Sequence, residues 1–478
     1  MKLNKKKVFA LALAVCLIAT LSMGSLAWFT DSDQATNDFF VAGSENNNPD
    51  DVFSVDVWED ATPDDPDGEG KLDSIQFNKI LPGDELYKEV HVENTGAYDQ
   101  YVRVTVTVTD AHIWQALKGE IYVPLDEIVT GLNPAFELDR TVYNVEDDTL
   151  VYVMYYNAIL PAEGVKDVEL FTQVNIPKDL TREQAAEMSG GFQIHVLADA
   201  VQTEHVGNNA KEAFVTVGLA EEKGEYVAVN TAAGLANLLN TGLLDPATAN
   251  DELTFGEELV NEAGSEVTLD LGDVVVEATI NNDGKLDITG GTIDIPAWGM
   301  HNSGEATLTD VKVDAGSSAD YSLITEGTGA ETVYNNVTIE SAGGGVGAAG
   351  GGTVVFNGGE LSINTKSTSG RYLFYAEGAG SKIIINDGDF ADFTKTSQNQ
   401  KRAYVYAGAG TTVEINGGTF GKASTRSGYT DGILGTGTVI IRGGTFGFNP
   451  SKWVADGYEA IYDSTAKTWT VQPVAVQP

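Results

Sequence analysis

The chain has 478 residues and carries 70 acidic against 28 basic side chains, a formal net charge of −42. So acidic a surface argues against nucleic acid and anionic membranes as partners and favours solubility, divalent cations or cationic surfaces. The single cysteine, Cys16, lies in the N-terminal apolar run, which leaves the rest of the chain without disulfide or thiol chemistry.

Lys2, Lys5, Lys6 and Lys7, an apolar run over residues 8–21 and the small-x-small step Ser25-Leu26-Ala27 read as a secretory leader over residues 1–27. The run is too short for a stable membrane span and no second one follows, so no transmembrane anchor is expected after cleavage. A lipoprotein reading at Cys16 is disfavoured by the bulky Val15 before it. Residues 28–50 form an N-terminal arm whose Trp28, Phe29, Phe39, Phe40 and Val41 are too apolar for a free tail.

Residues 51–217 alternate β-branched with polar residues, most clearly at Tyr101-Val102-Arg103-Val104-Thr105-Val106-Thr107-Val108. Period-two alternation predicts half-buried antiparallel strands, and their spacing predicts a sandwich of jelly-roll type. Leu81-Pro82-Gly83-Asp84 and Asn94-Thr95-Gly96 are turn signals. A helix is predicted over residues 180–188, N-capped by Thr181 and stopped at Gly190. Between two strands, Asp65, Asp67, Glu69 and Asp73 fall at positions one, three, five and nine of a calcium-type loop with Gly70 at six. Position twelve is Gln76 and no helices flank the loop, so a solvated acidic loop is the preferred reading and Ca²⁺ the alternative; no other cofactor is expected.

The aromatic pair and acid-rich turn in Leu26-Ala27-Trp28-Phe29-Thr30-Asp31, with Thr36-Asn37-Asp38-Phe39-Phe40-Val41 after it, resemble the start of the TasA/camelysin-like family. Leaders of that family are handled by a SipW-type signal peptidase of Gram-positive bacteria. The turn at residues 81–84, the strand at 89–96 and the later segments 155–160, 170–177 and 191–202 are similar to further strands of the same family. The resemblance spans residues 1–217 and implies secretion to the cell surface or biofilm matrix. It further implies that the mature N-terminus inserts as a strand into the sandwich of the next subunit, itself or a related matrix protein, to give an open filament. The alternative is that the arm is the first strand of its own sandwich. A large C-terminal extension departs from the fibre-forming pattern.

A linker and an amphipathic cap helix over residues 231–239 are predicted within 218–240. Residues 241–447 then repeat one unit: an alternating strand, a polar residue, a glycine pair or its substitute, and a second apolar position. Ile288-Thr289-Gly290-Gly291-Thr292-Ile293, Phe356-Asn357-Gly358-Gly359-Glu360-Leu361 and Ile415-Asn416-Gly417-Gly418-Thr419-Phe420 are clear copies. Such repeats predict a right-handed parallel β-helix of about eight coils stacked at about 4.8 Å. Ile288, Leu308, Tyr334, Phe356, Ile385, Ile415 and Ile441 would form one inward column. Ile293, Val313, Ile339, Leu361, Phe390, Phe420 and Phe446 would form a second, with asparagines laddering at the corner between them. The register over 240–285 is open. Residues 448–478 would cap the far end.

Chemistry is sparse. No His-Glu-x-x-His occurs, and His91, His112, His195 and His205 show no zinc spacing. After residue 217 there is no Asp-Asp pair, and His301 reads as a surface or turn residue. Stacked coils can still assemble two carboxylates from distant positions, so a polysaccharide lyase or glycoside hydrolase is kept as the alternative. Arg371 with Tyr375 and Arg402 with Tyr406 occupy matching places in successive coils. Facing outward they would make a basic, aromatic strip for a glycan or host-surface ligand; facing inward, the favoured reading, they fill the core. The whole reads as an all-β, non-enzymatic surface or matrix protein with no catalytic residues.

Overall fold

The computed structural model describes residues 30–34, 37–38, 54–60, 71–72, 74–75, 77, 80–188, 191–220, 224–244, 248–295, 299–315, 323–341, 344–363, 372–390, 403–421 and 432–475. The chain divides into two compact units, Met1–Val227 and Ala228–Pro478.

The first unit is an antiparallel two-sheet assembly. Its strands are β1 (Thr30–Gln34), β2 (Asn37–Asp38), β3 (Val55–Asp60), β4 (Glu85–Asn94), β5 (Gln100–Thr109), β6 (Val129–Thr130), β7 (Phe136–Asn144), β8 (Thr149–Tyr156), β9 (Asp167–Asn175) and β10 (Ile194–Gln202). One sheet runs β2-β1-β10-β5-β8-β7 and the other β3-β4-β9-β6. The chain therefore changes sheet after β2, β4, β5, β6, β8 and β9, the alternation of a jelly roll. Alternation along β5 buries Val102, Val104, Val106 and Val108 completely.

The two turn signals have distinct jobs. Asp84 closes the first by accepting from the Leu81 backbone N–H at 2.7 Å, with Gly83 at φ +90°. Asn94 is fully buried and satisfied: its amide donates to the carbonyls of Tyr98 and Leu160, and its oxygen accepts from Gly96 N–H and Gln100 Nε2. The expected helix is shorter than its sequence signal, Arg182–Glu187, and Thr181 N-caps it in a capping box with Gln184; Gly190 lies outside the described residues.

The second unit is a parallel β-helix. Its coils open at Leu253, Thr279, Met300, Leu323, Val346, Tyr372, Ala403 and Ile433, eight among the described residues. Both predicted inward columns are present in register. Ile288, Leu308, Tyr334, Phe356, Ile385, Ile415 and Ile441 follow one another rung by rung. So do Ile293, Val313, Ile339, Leu361, Phe390, Phe420 and Phe446. All of them are buried. The open register before residue 285 resolves one coil further up, where Leu269 sits on Ile288 and Val276 on Ile293.

The corner between the columns needs a left-handed residue. Asp310 (φ 55°) and Asn336 (φ 51°) take that conformation where the glycine pair is missing, as short polar side chains can. Gly359 shows why glycine is otherwise used, since a Cβ there would fall 2.0 Å from the Val337 carbonyl oxygen. Beside the corner, Asn357 donates to Asn335, Asn386 to Asn357 and Asn416 to Asn386 at 2.7–2.9 Å.

Both ends are closed. Helix Ala232–Thr241, N-capped by Thr231, buries Ala232, Leu235 and Leu238 and packs on strand Glu266–Glu277 of the first coil. At the other end, hairpin Tyr458–Asp463/Thr468–Pro473 pairs antiparallel with Gly444–Phe446, and Phe448 packs edge-on against Phe446. The antiparallel hairpin ends the parallel stack that would otherwise template another strand.

Candidate functional site

The sheet formed by the strands that open each coil carries the aromatic group. Its strands turn Met300, Leu323, Val346, Phe374, Val405 and Ile433 inward, all buried. The neighbouring outward column is His301, Ile324, Gly347, Tyr375, Tyr406 and Leu434. Tyr375 and Tyr406 therefore do not fill the core. The inward reading is corrected: Phe374, Ala376, Val405 and Ala407 hold those interior places. The rings of Tyr375 and Tyr406 stack at 5.2 Å and 18°. Tyr372, which sequence reasoning passed over, completes a trio at 4.8 Å from Tyr406 and 6.1 Å from Tyr375. Burial, with Tyr406 adding to it, raises the Tyr372 hydroxyl pKa, so this group remains a neutral donor and acceptor. Each ring therefore gives a face to a neighbour in the trio. Arg371 and Arg402 lie outside the described residues.

His301 is exposed on its strand, as expected of a surface residue. A carboxylate with bases within reach does occur, at Glu414, 2.8 Å from both Lys382 Nζ and Arg442 Nη1. Hydrogen bonds from these two hold its carboxyl below the usual range, which is the reverse of what a general acid requires.

The arm supplies a second feature. Strand β1 pairs antiparallel with β10, Thr30 opposite Val201, Ser32 opposite Asp199 and Gln34 opposite Leu197. Among the described residues, only the two-residue β2 covers its other side, at Asp33 and Gln34. The backbone thus occupies the position of a first strand within its own sandwich. Trp28, Phe29, Phe39, Phe40 and Val41 lie outside the described residues, as do Asp65, Asp67, Glu69 and Asp73 of the acidic loop. Among the described residues, the group able to hold a metal is instead Glu89, His91 and Glu169 on the second sheet of the sandwich.

No described helix is long and apolar enough to cross a membrane. Comparison with protein-family models, with curated proteins and with solved structures finds no match to the chain.

Proposed function

We propose that this is an exported, non-enzymatic surface or matrix protein that assembles through its N-terminal arm and displays the β-helix as a stiff spacer or adhesive module. The observation that carries the reading is the place of β1, a five-residue strand close behind the leader with only the two-residue β2 beyond it among the described residues. A strand held at a sheet edge by backbone hydrogen bonds can be exchanged for the same strand of a neighbour, which remakes every bond in the same register. Head-to-tail exchange of this kind yields an open filament when the rotation between successive copies does not close a ring. The motif resemblance to the TasA/camelysin-like family points the same way. In this reading the tyrosine trio is the adhesive element, its hydroxyls offered to a glycan on a cell or host surface.

The test is negative-stain electron microscopy of the chain beginning at Trp28 beside one beginning at Asp51. Filaments from the longer form alone are expected. Monodisperse particles from both would remove the polymer reading.

A further inference from the structure

We infer that the outward face of the second sandwich sheet binds a divalent transition-metal ion of the Zn²⁺ type through His91 Nε2 and the carboxylates of Glu89 and Glu169. Glu89 and His91 are two apart on β4, so both leave the sheet on the same side while Val90 and Val92 are buried beneath. His91 lies opposite Glu169 on β9 and opposite Trp58 on β3, which sets the three side chains in a row across the sheet. One donor atom from each of Glu89, His91 and Glu169 lies within 4.8 Å of the other two.

Four further details fit a metal better than a plain ion pair. His91 Nδ1 is 2.9 Å from Asp167 Oδ2. With that nitrogen donating to Asp167, the lone pair sits on Nε2, the arrangement by which carboxylates orient ligating histidines. Nε2 is itself buried and makes no hydrogen bond, with Glu89 Oε2 3.6 Å away. A tetrahedral ion with bonds of about 2.0–2.1 Å needs ligands about 3.4 Å apart, so a small closure suffices. The Trp58 ring stacks on the imidazole at 4.0 Å and 3°, fixing its plane.

Charge adds to the case. Three carboxylates, those of Glu89, Asp167 and Glu169, surround one imidazole. Two neighbouring lysines are engaged elsewhere, Lys88 with Glu59 at 2.7 Å and Lys71 with Glu93. A dication relieves this repulsion. One imidazole with two carboxylates is a borderline donor set suited to Zn²⁺, whereas Ca²⁺ requires six to eight oxygens. Three protein ligands leave one position for water or a ligand from outside.

The test is calorimetric titration of the chelator-treated, dialysed full-length chain with ZnCl₂, with tryptophan fluorescence read in parallel. One Zn²⁺ per chain is expected, at an affinity that excess Ca²⁺ leaves unchanged. His91→Gln and, separately, Glu169→Gln should weaken binding at least 100-fold. Asp167→Asn should weaken it about 10–100-fold by loosening the imidazole. Trp58→Phe should abolish the fluorescence change while leaving one bound ion. Absence of stoichiometric binding, or binding unaltered in both His91→Gln and Glu169→Gln, would overturn the site and leave His91 as an imidazolium clamped between Asp167 and Glu89.

Discussion

Asn261, Asn282 and Asn302 stack inside the β-helix, Asn261 donating to Asn282 and Asn282 to Asn302 at 2.7 Å, and Asn302 passing the chain on to Thr332. All are buried, whereas Asn386 belongs to the exposed corner ladder. A buried polar group that loses its partner bears its full desolvation cost, while an exposed one turns to water. Asn282→Ala is therefore expected to lower stability by about 2–3 kcal/mol, and Asn386→Ala by less than about 1 kcal/mol, in chemical denaturation. At this scale the corners were legible because glycine, asparagine and aspartate punctuate them. The tyrosine parity was not. Leu373 and Phe374 are both buried, so strict alternation breaks between Tyr372 and Tyr375 and either ring could have been assigned to the core. The His91 group was hidden for another reason. The spacing in Glu89-Val90-His91 puts two donors on one face, but Asp167 and Glu169 join them only through the pairing of β4 with β9, which local sequence does not encode.

Elements were more readily read than their partners. The N-cap at Thr181, the helix behind Thr231 and both inward columns follow from local chemistry and period, and each is found where those signals lie. The ends of the stack follow from a physical necessity, since a bare parallel sheet edge pairs with whatever strand it meets. Hairpin Tyr458–Asp463/Thr468–Pro473 meets that need with Trp469 paired opposite Phe446. Deleting residues 448–478 from the form that begins at Asp51 is expected to turn a monodisperse chain into aggregates on size-exclusion chromatography, with thioflavin binding rising in parallel. An unchanged elution profile would show that the last coil closes itself.

Across the whole molecule, a net charge of −42 favours solubility but opposes self-association unless contacts are backbone-mediated or cation-bridged. Strand exchange satisfies that condition because its bonds are those already made by β1 against β10. Cross-linking across this register reads the exchange directly. Gln34→Cys with Leu197→Cys, placed opposite one another in the pairing, forms a disulfide wherever the two strands lie side by side. Material assembled at high protein concentration, oxidised and run without reductant, is expected to give a ladder of covalent oligomers that collapses to monomer on reduction. A single monomer band, with the disulfide confined within each chain, would contradict assembly by the arm and leave β1 as the permanent first strand of its own sandwich.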